Sequence, residues 1–169
     1  MNGLNGENGM HDCLVRKMRE EDLAVVSGMY KNMYDEQKKL GMVYSLRDNE
    51  ADSFLAAQLK SKLHFLYVLV CGGTIKGFAS GGLIKLQRKY KLGDEDFIGF
   101  IHDLYVEPNQ RGKGYAQKLL SAVESELKSA GIRHIELHVV SGNECGRRFW
   151  SKNGFAGMMQ VMYKSIKEE

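Results

Sequence analysis

The chain is poor in several residue types that mark large classes of protein. It has one proline and three cysteines in 169 residues, and Cys13, Cys71 and Cys145 lack the spacing of metal ligands. This usage predicts reduced thiols, a cytoplasmic location and no metal. No apolar run approaches membrane-spanning length, and the N-terminus lacks the charged-then-apolar pattern of a signal peptide. We therefore expect neither a membrane protein nor a metal site.

Charge of one sign is also scarce. The net charge is +3 and no basic run stands out, so the sequence does not suggest a nucleic-acid-binding protein. With 43% hydrophobic and 27% charged residues, the composition is that of a soluble globular protein, and the length fits one domain with a full core. We expect residues 1–12, rich in glycine and asparagine, to be a disordered tail and residues 13–169 to form the domain.

The most informative stretch is 97–120. Its first ten residues are apolar and β-branched or aromatic, as in a strand buried on both faces. Pro108 ends this strand because proline cannot donate to a sheet. A basic, glycine-containing turn over 109–114 follows. From Ala116 onward, apolar residues recur at helical spacing.

A strand that runs through a glycine-rich turn into a helix predicts an anion site. The first helical turn has free backbone N–H groups, and the helix dipole favours negative charge there. Gly112 and Gly114 allow a phosphate to approach the backbone. The turn is not a Walker A loop, because Lys113 is followed by glycine rather than serine or threonine, and Gln117 breaks the dinucleotide-binding fingerprint.

Two motifs resemble those of one family. Arg111-x-x-Gly114-x-Ala116, preceded by Leu-Tyr-Val-x-Pro, resembles the pyrophosphate-binding motif of the GNAT superfamily, the acyl-CoA-dependent N-acyltransferases. Further on, Asn143-x-x-Gly146-x-x-Phe149-Trp150-x-x-x-Gly154-Phe155 resembles the family's Asn-x-x-Ala-x-x-Phe-Tyr-x-x-x-Gly-Phe. The resemblance covers nearly all of residues 13–167.

The order of predicted elements agrees with this family. The chain reads as a strand, two helices, three strands, a helix, a strand, a helix and a last pair of short strands through Phe155 and 161–166. The predicted fold is a single mixed α/β domain. Its central sheet is mixed and mostly antiparallel, about four helices flank it, and a splay separates the fourth and fifth strands. Within this sheet, Gly72-Gly73 predicts a hairpin and Gly81-Gly82 a bulge or close backbone approach.

The resemblance implies a site for acetyl-CoA as cosubstrate. It implies that the pantetheine arm lies in the splay, held by backbone amides of Leu104, Tyr105 and Val106, and that Asn143 contacts the pantetheine or a water molecule. Trp150 would pack beside the cofactor, although it replaces a tyrosine that protonates the departing thiolate in many relatives. The residues implied at the pyrophosphate are Arg111, Gly112, Lys113, Gly114, Tyr115 and Ala116.

His102 is the candidate general base. Family members place glutamate or histidine on this strand, and Phe100 cannot serve, whereas an imidazole titrates near neutrality. The alternative for His102 is a hydrogen-bonded core histidine. Strand alternation predicts that Asp103 points to the opposite face, where it could bind the substrate's cation or relay protons through water.

The implied function is transfer of an acetyl group from acetyl-CoA to a primary amine by direct attack in a ternary complex. The acceptor is a small molecule or a protein amine, and Tyr30 and Tyr44 lie in the region where the family builds its acceptor wall. A catalytically weak acyl-CoA-binding or sensing module is the alternative. Because many relatives dimerise, a homodimer is one expected assembly.

Overall fold

The computed structural model describes residues 13–47, 50–87, 89–90 and 92–166, so the predicted tail over 1–12 lies outside it. Asp48 and Asn49, residue types that favour a cap at the start of the second predicted helix, also lie outside the described residues. In the described part, four α-helices flank one five-stranded sheet. In chain order the elements are β1 (Cys13–Lys17), α1 (Leu23–Lys39), α2 (Glu50–Lys60), β2 (His64–Cys71), β3 (Thr74–Lys85), β4 (Phe97–Val106), α3 (Tyr115–Ser129), β5 (Ile135–Leu137) and α4 (Glu144–Lys152).

The strands lie in the order β1-β2-β3-β4-β5. The first four are antiparallel neighbours, and β5 runs parallel to β4. Gly72 and Gly73, both with positive φ, form the tight turn between β2 and β3 that the sequence predicts. The predicted mixed, mostly antiparallel sheet is confirmed.

Two apolar cores lie on opposite faces of the sheet. The first, between the sheet and α1 and α2, includes Val26, Leu55 and Phe78. The second, between the sheet and α3, includes Ile101 and Leu120. α3 contributes to it through Leu119, Leu120, Val123 and Leu127, which repeat at helical spacing and are buried. None of the helices in the described part is long and apolar enough to cross a membrane.

A β-bulge interrupts the pairing of β3 and β4. Ser80 lies opposite Asp103, but Gly81 lies opposite Ile101, so His102 is an extra residue without a partner in β3. The sequence predicts a bulge or a close backbone approach at Gly81-Gly82; the structure has both at Gly81, with the extra residue of the bulge in β4. A side chain at Gly81 would collide with the Phe65 ring and the Phe100 carbonyl, which explains the glycine. The bulge shifts the alternation of β4 by one residue after Ile101.

The prediction of three reduced cysteines is wrong. Cys13 and Cys71 face each other in the antiparallel pairing of β1 and β2, and they form a disulfide. The two cysteines are 58 positions apart, and no local pattern in the sequence indicates their contact, because only the sheet brings the two strands together. Cys145 is an exposed free thiol.

The predicted last pair of strands is also absent from the described residues. After α4, residues 153–154 form a turn, and 155–166 have no regular secondary structure. The apolar side chains that suggested strands are largely exposed, among them Val161, Tyr163 and Ile166. Their composition favours strands, but a strand needs a hydrogen-bonded neighbour, and this segment has none in the sheet.

Candidate active site

The turn after β4 has the backbone conformation of an anion cradle. Gly112 and Gly114 have φ of 77° and 78°, in the left-handed region that favours glycine, and Gly114 is the residue before the first turn of α3. A Cβ placed on either glycine would have no other atom within 4 Å. The turn is therefore open on its outer side.

The amides of this turn are available to a ligand. The N–H groups of residues 112–117 donate to no protein acceptor in the described part of the chain. The Arg111 N–H is partly used, because it lies 3.3 Å from the Pro108 carbonyl oxygen. Several free N–H groups at a helix N-terminus bind phosphates well. Lys113 adds a positive charge, with its Nζ 2.9 Å from Gln110 Oε1.

The gap between β4 and β5 is the second part of the site. The two strands pair only over Gly99 to Ile101, opposite Ile135 to Leu137. β4 continues to Val106 while paired with β3 alone. The peptide groups of Leu104, Tyr105 and Val106 therefore lie at a sheet edge where β5 no longer pairs with β4. This gap is the predicted splay.

Asn143 lies at the start of α4, and Trp150 on the same helix packs against the second core. Asn143 accepts a hydrogen bond from the Gly146 N–H at 2.8 Å and caps α4. A Cβ at Gly146 would come within 2.6 Å of the Asn143 amide nitrogen, so this departure from the family motif makes room for the cap. Trp150 packs edge-on against Phe149 and Phe155, with ring centroids 4.9 and 5.2 Å away.

His102 lies in a stack of aromatic rings on the first-core face of the sheet. Its ring stacks on His64 from β2 at 5.5 Å and contacts Phe100 at 5.2 Å, and His138 meets the Phe100 ring edge-on. His64 is held in turn by Ser61 Oγ, 2.9 Å from its Nδ1. Burial, and secondarily His64, lowers the pKa of His102. Among the described residues, nothing hydrogen-bonds to its buried Nε2.

The Asp103 side chain points to the same face of the sheet as His102, not to the opposite face. It pairs with Ser80, whose Oγ donates to Asp103 Oδ2 at 2.9 Å, and its neighbour Tyr105 packs in the first core. The prediction from strand alternation was wrong because the bulge at His102 inserts one residue. Burial raises the pKa of Asp103 to about 6, against a smaller opposing effect of the Ser80 hydrogen bond.

The two candidate acceptor tyrosines differ in exposure. Tyr30 is 3% exposed and packs among Tyr34, Phe54 and Phe78 in the first core. Tyr44 is 65% exposed. A cavity of about 270 Å³ lies beside them, between α1 and the segment that precedes α2, and its lining residues are Lys31, Tyr34, Asp35, Lys38, Ser45 and Leu46.

Sequence reasoning missed His64, Ser80 and Glu36. His64 and Ser80 reach the site by cross-strand neighbourhood, and Glu36 by the docking of α1, so no local pattern in the sequence marks them. No cluster of three or more His, Cys, Asp or Glu residues in the described ranges could hold a metal ion.

Comparison with known proteins agrees with this geometry. The Acetyltransferase (GNAT) family model matches residues 29–155. The aminoalkylphosphonate N-acetyltransferase of Salmonella typhimurium is 25% identical over 84% of this chain and 92% of its own. The N-acetyltransferase YycN of Bacillus subtilis is 32% identical over 45% of this chain, and the match spans 58% of that protein.

Solved structures share the fold. A predicted acetyltransferase of Clostridium acetobutylicum, solved with acetyl-CoA, superposes with a TM-score of 0.76 at 21% identity, over 91% of this chain and 96% of its own. The family match covers most of the chain and includes the phosphate turn, the splay and the capped α4. The chain therefore belongs to the Acetyltransferase (GNAT) family of enzymes.

Proposed function

We propose that the protein transfers an acetyl group from acetyl-CoA to a primary amine within a ternary complex. The observation that carries this proposal is the course of β4, which leads from the half-buried imidazole of His102 to the open amides of residues 112–117. Bound acetyl-CoA supplies the thioester: the amine nitrogen forms the new C–N bond, the C–S bond breaks, and the proton that the nitrogen loses on becoming an amide passes through water to the departing thiolate.

The cofactor would be held mostly by backbone. The N–H groups at the start of α3 would donate to the diphosphate, with Lys113 adding charge, and the edge of β4 at 104–106 would hold the pantetheine arm. N–H donors from this edge would also polarise the thioester carbonyl. Asn143 uses its side-chain oxygen for the α4 cap, so its amide N–H₂ group is what could reach the pantetheine. Trp150 would pack beside it.

His102 would accept the proton of the attacking amine. An alkylammonium has no lone pair and a pKa near about 10.4, so it must lose a proton before attack. The lowered pKa keeps the His102 imidazole neutral at pH 7, and its buried Nε2 lacks a partner within the described residues. Asp103 lies on the same face and, once ionised, would favour a cationic acceptor nearby.

The acceptor would enter between α1 and the segment that carries Tyr44. The cavity there is lined by lysine, aspartate and tyrosine side chains, and Tyr44 is accessible, whereas Tyr30 would act only through the packing of this wall. The name of the Salmonella relative supports a small amine as acceptor, and a protein amine is the other choice. A homodimer and a cytoplasmic location remain predictions. The disulfide removes the cysteine argument for the latter.

The test is a thiol-release assay with acetyl-CoA and a panel of amines. The panel contains aminoalkylphosphonates, polyamines, aminoglycosides, amino acids and lysine peptides, and CoA binding is measured by calorimetry in parallel. Turnover with at least one amine supports the proposal. Tight CoA binding without turnover on any of them would favour an acyl-CoA-binding module, and absence of CoA binding would end both readings.

A further inference from the structure

The side chain of Arg111 is already engaged by protein groups. Its Nε donates to the Val106 carbonyl oxygen at 2.8 Å, and its terminal nitrogen pairs with Glu36 Oε2 at 2.7 Å. The guanidinium also lies over the Tyr105 ring, 5.4 Å from its centroid. The arginine that begins the phosphate-binding motif thus contacts β4 and α1.

Glu36 connects these contacts. While one oxygen pairs with Arg111, the other accepts a hydrogen bond from the Tyr105 hydroxyl at 3.3 Å. Burial, and then the nearby Glu36 carboxylate, raises the pKa of Tyr105, so the phenol keeps its proton for this bond. One carboxylate on α1 therefore contacts both Tyr105, near the end of β4, and the Arg111 side chain beyond that strand.

The Arg111 side chain closes the segment that leads into the amide cradle. Within 107–111, the backbone bonds are Gln110 N–H to the Glu107 carbonyl at 2.8 Å and the longer Arg111 contact to Pro108. The bond from Arg111 Nε to Val106 spans this whole segment. This bond holds the backbone at Arg111 in place. It therefore sets the direction of the N–H groups of the residues that follow.

We infer that Glu36 is a positioning residue of the CoA site: it holds Arg111 against β4 so that the amides of 112–117 stay arranged for a diphosphate. This inference rests on the proposed function only in that CoA is the ligand. In the rival arrangement, Arg111 leaves Glu36 when CoA binds and contacts the diphosphate directly.

The two arrangements predict opposite changes in CoA affinity when Glu36 is replaced by glutamine. Glu36→Gln removes a negative charge near a site for an anion, so electrostatics alone would tighten CoA binding, and a freed Arg111 would tighten it further. If Glu36 positions Arg111, the same change weakens CoA binding, because the guanidinium loses its charged anchor. We expect CoA affinity to fall about tenfold, the size of one hydrogen bond to a charged group.

The experiment is calorimetry with free CoA on the full-length wild type, Glu36→Gln and Glu107→Gln. Glu107 is the matched control: it precedes the same turn, and its partner is Lys76 at 3.1 Å rather than Arg111. We expect Glu107→Gln to bind CoA as the wild type does or slightly more tightly. Equal or tighter CoA binding by Glu36→Gln would overturn the inference, whereas absence of CoA binding by the wild type would instead defeat the proposed function.

A second pair of variants separates positioning from folding. The Arg111–Glu36 pair is partly exposed, and such pairs contribute little to stability, so the melting temperature of Glu36→Gln should hardly change. Tyr105→Phe removes only the hydroxyl that holds Glu36 and should also weaken CoA binding. In an Arg111→Lys background, Glu36→Gln should have no further effect on affinity. A full additional loss there would contradict action through Arg111.

Discussion

The two ends of the candidate site, both on β4, are built in different ways. The turn over 109–114, proposed to bind the diphosphate, offers backbone N–H groups, has glycine at two positive-φ positions and is open on its outer side. The imidazole cluster around His102 uses side chains from β2, β4 and the segment after β5, and it is half-buried. The first end is a local property of the chain, and the second exists only once the sheet has formed.

Because the two ends are built separately, we expect that catalysis and CoA binding can be lost independently of each other. Changes at the cluster should remove catalysis and leave CoA bound, because no side chain of the cluster belongs to the turn. Changes at the turn should remove CoA affinity and leave the cluster intact. From the largest expected effect to the smallest, variants at His102 and Gly114 test that separation, and variants at Asp103 and Gly146 test the stability of the surrounding structure.

His102→Gln should cause the largest loss. Removing a general base typically costs about 100-fold or more in rate, so we expect kcat/KM to fall by at least that much while CoA affinity stays unchanged. In the wild type, we expect kcat/KM to rise as the pH rises through the lowered pKa of His102, and this limb should vanish in the variant. His134→Gln, an exposed imidazole paired with Glu95, is the control. A retained limb would remove His102 from the mechanism.

Asp103→Asn should change stability and its pH dependence. The folded-state pKa of about 6 lies above the ordinary value of 3.8, so the folded protein binds the proton more tightly, and stability falls as the pH rises from about 4 to 6. Since one pKa unit is worth about 1.4 kcal/mol, the variant should gain up to about 3 kcal/mol at pH 7.5 and nothing below pH 4. Urea unfolding at both pH values measures this. An equal gain at both would exclude titration of Asp103 as the cause.

Gly114→Ala should weaken CoA binding about tenfold, because an L side chain in the left-handed region costs about 1–2 kcal/mol and the new methyl group would stand in the open cradle. Gly131→Ala is a matched control at the other end of α3, with φ of 77° and equally open space. Both variants should lose similar stability, but only the first should lose CoA affinity. Equal affinities would place the diphosphate elsewhere.

Gly146→Ala should show the smallest effect. Alanine gains about 1 kcal/mol of helix propensity over glycine, but its Cβ displaces the Asn143 side chain, and losing that cap costs about the same. The net change in unfolding free energy should be near zero. Gly28→Ala in α1, where a Cβ meets nothing within 4 Å, should show the full gain. If the two variants gain equally, Asn143 does not cap α4.

The sequence sufficed for features that depend on neighbouring residues. The glycine-containing turn over 109–114, the Gly72-Gly73 hairpin and the bulge or close approach at Gly81 each follow from short patterns with a known backbone requirement, and the structure has these backbone conformations. The order of strands and helices followed from periodicity and from the resemblance to the family.

What the sequence did not reveal depends on distant contacts. The Cys13–Cys71 disulfide needs the pairing of β1 with β2, and the contact of Glu36 with Arg111 needs the docking of α1. The orientation of Asp103 differs from the prediction because the bulge inserts His102 into β4, and the sequence of β4 alone does not show this insertion. The apolar residues after Phe155 suggested strands, but composition does not supply a neighbouring strand.

The bulge has a consequence for how this chain can change over evolution. Phe100 and Asp103 are three positions apart, so regular strand alternation would place their side chains on opposite faces. Because of the bulge, both side chains lie on one face. Deleting His102, the inserted residue, would restore regular pairing of β4 with β3. The turn after Val106 and the start of α3 would stay unchanged. On the proposed function, the product would keep the amides proposed to bind the diphosphate of CoA and would lose the proposed base. A one-codon deletion could thus turn an enzyme of this design into a receptor for the same molecule.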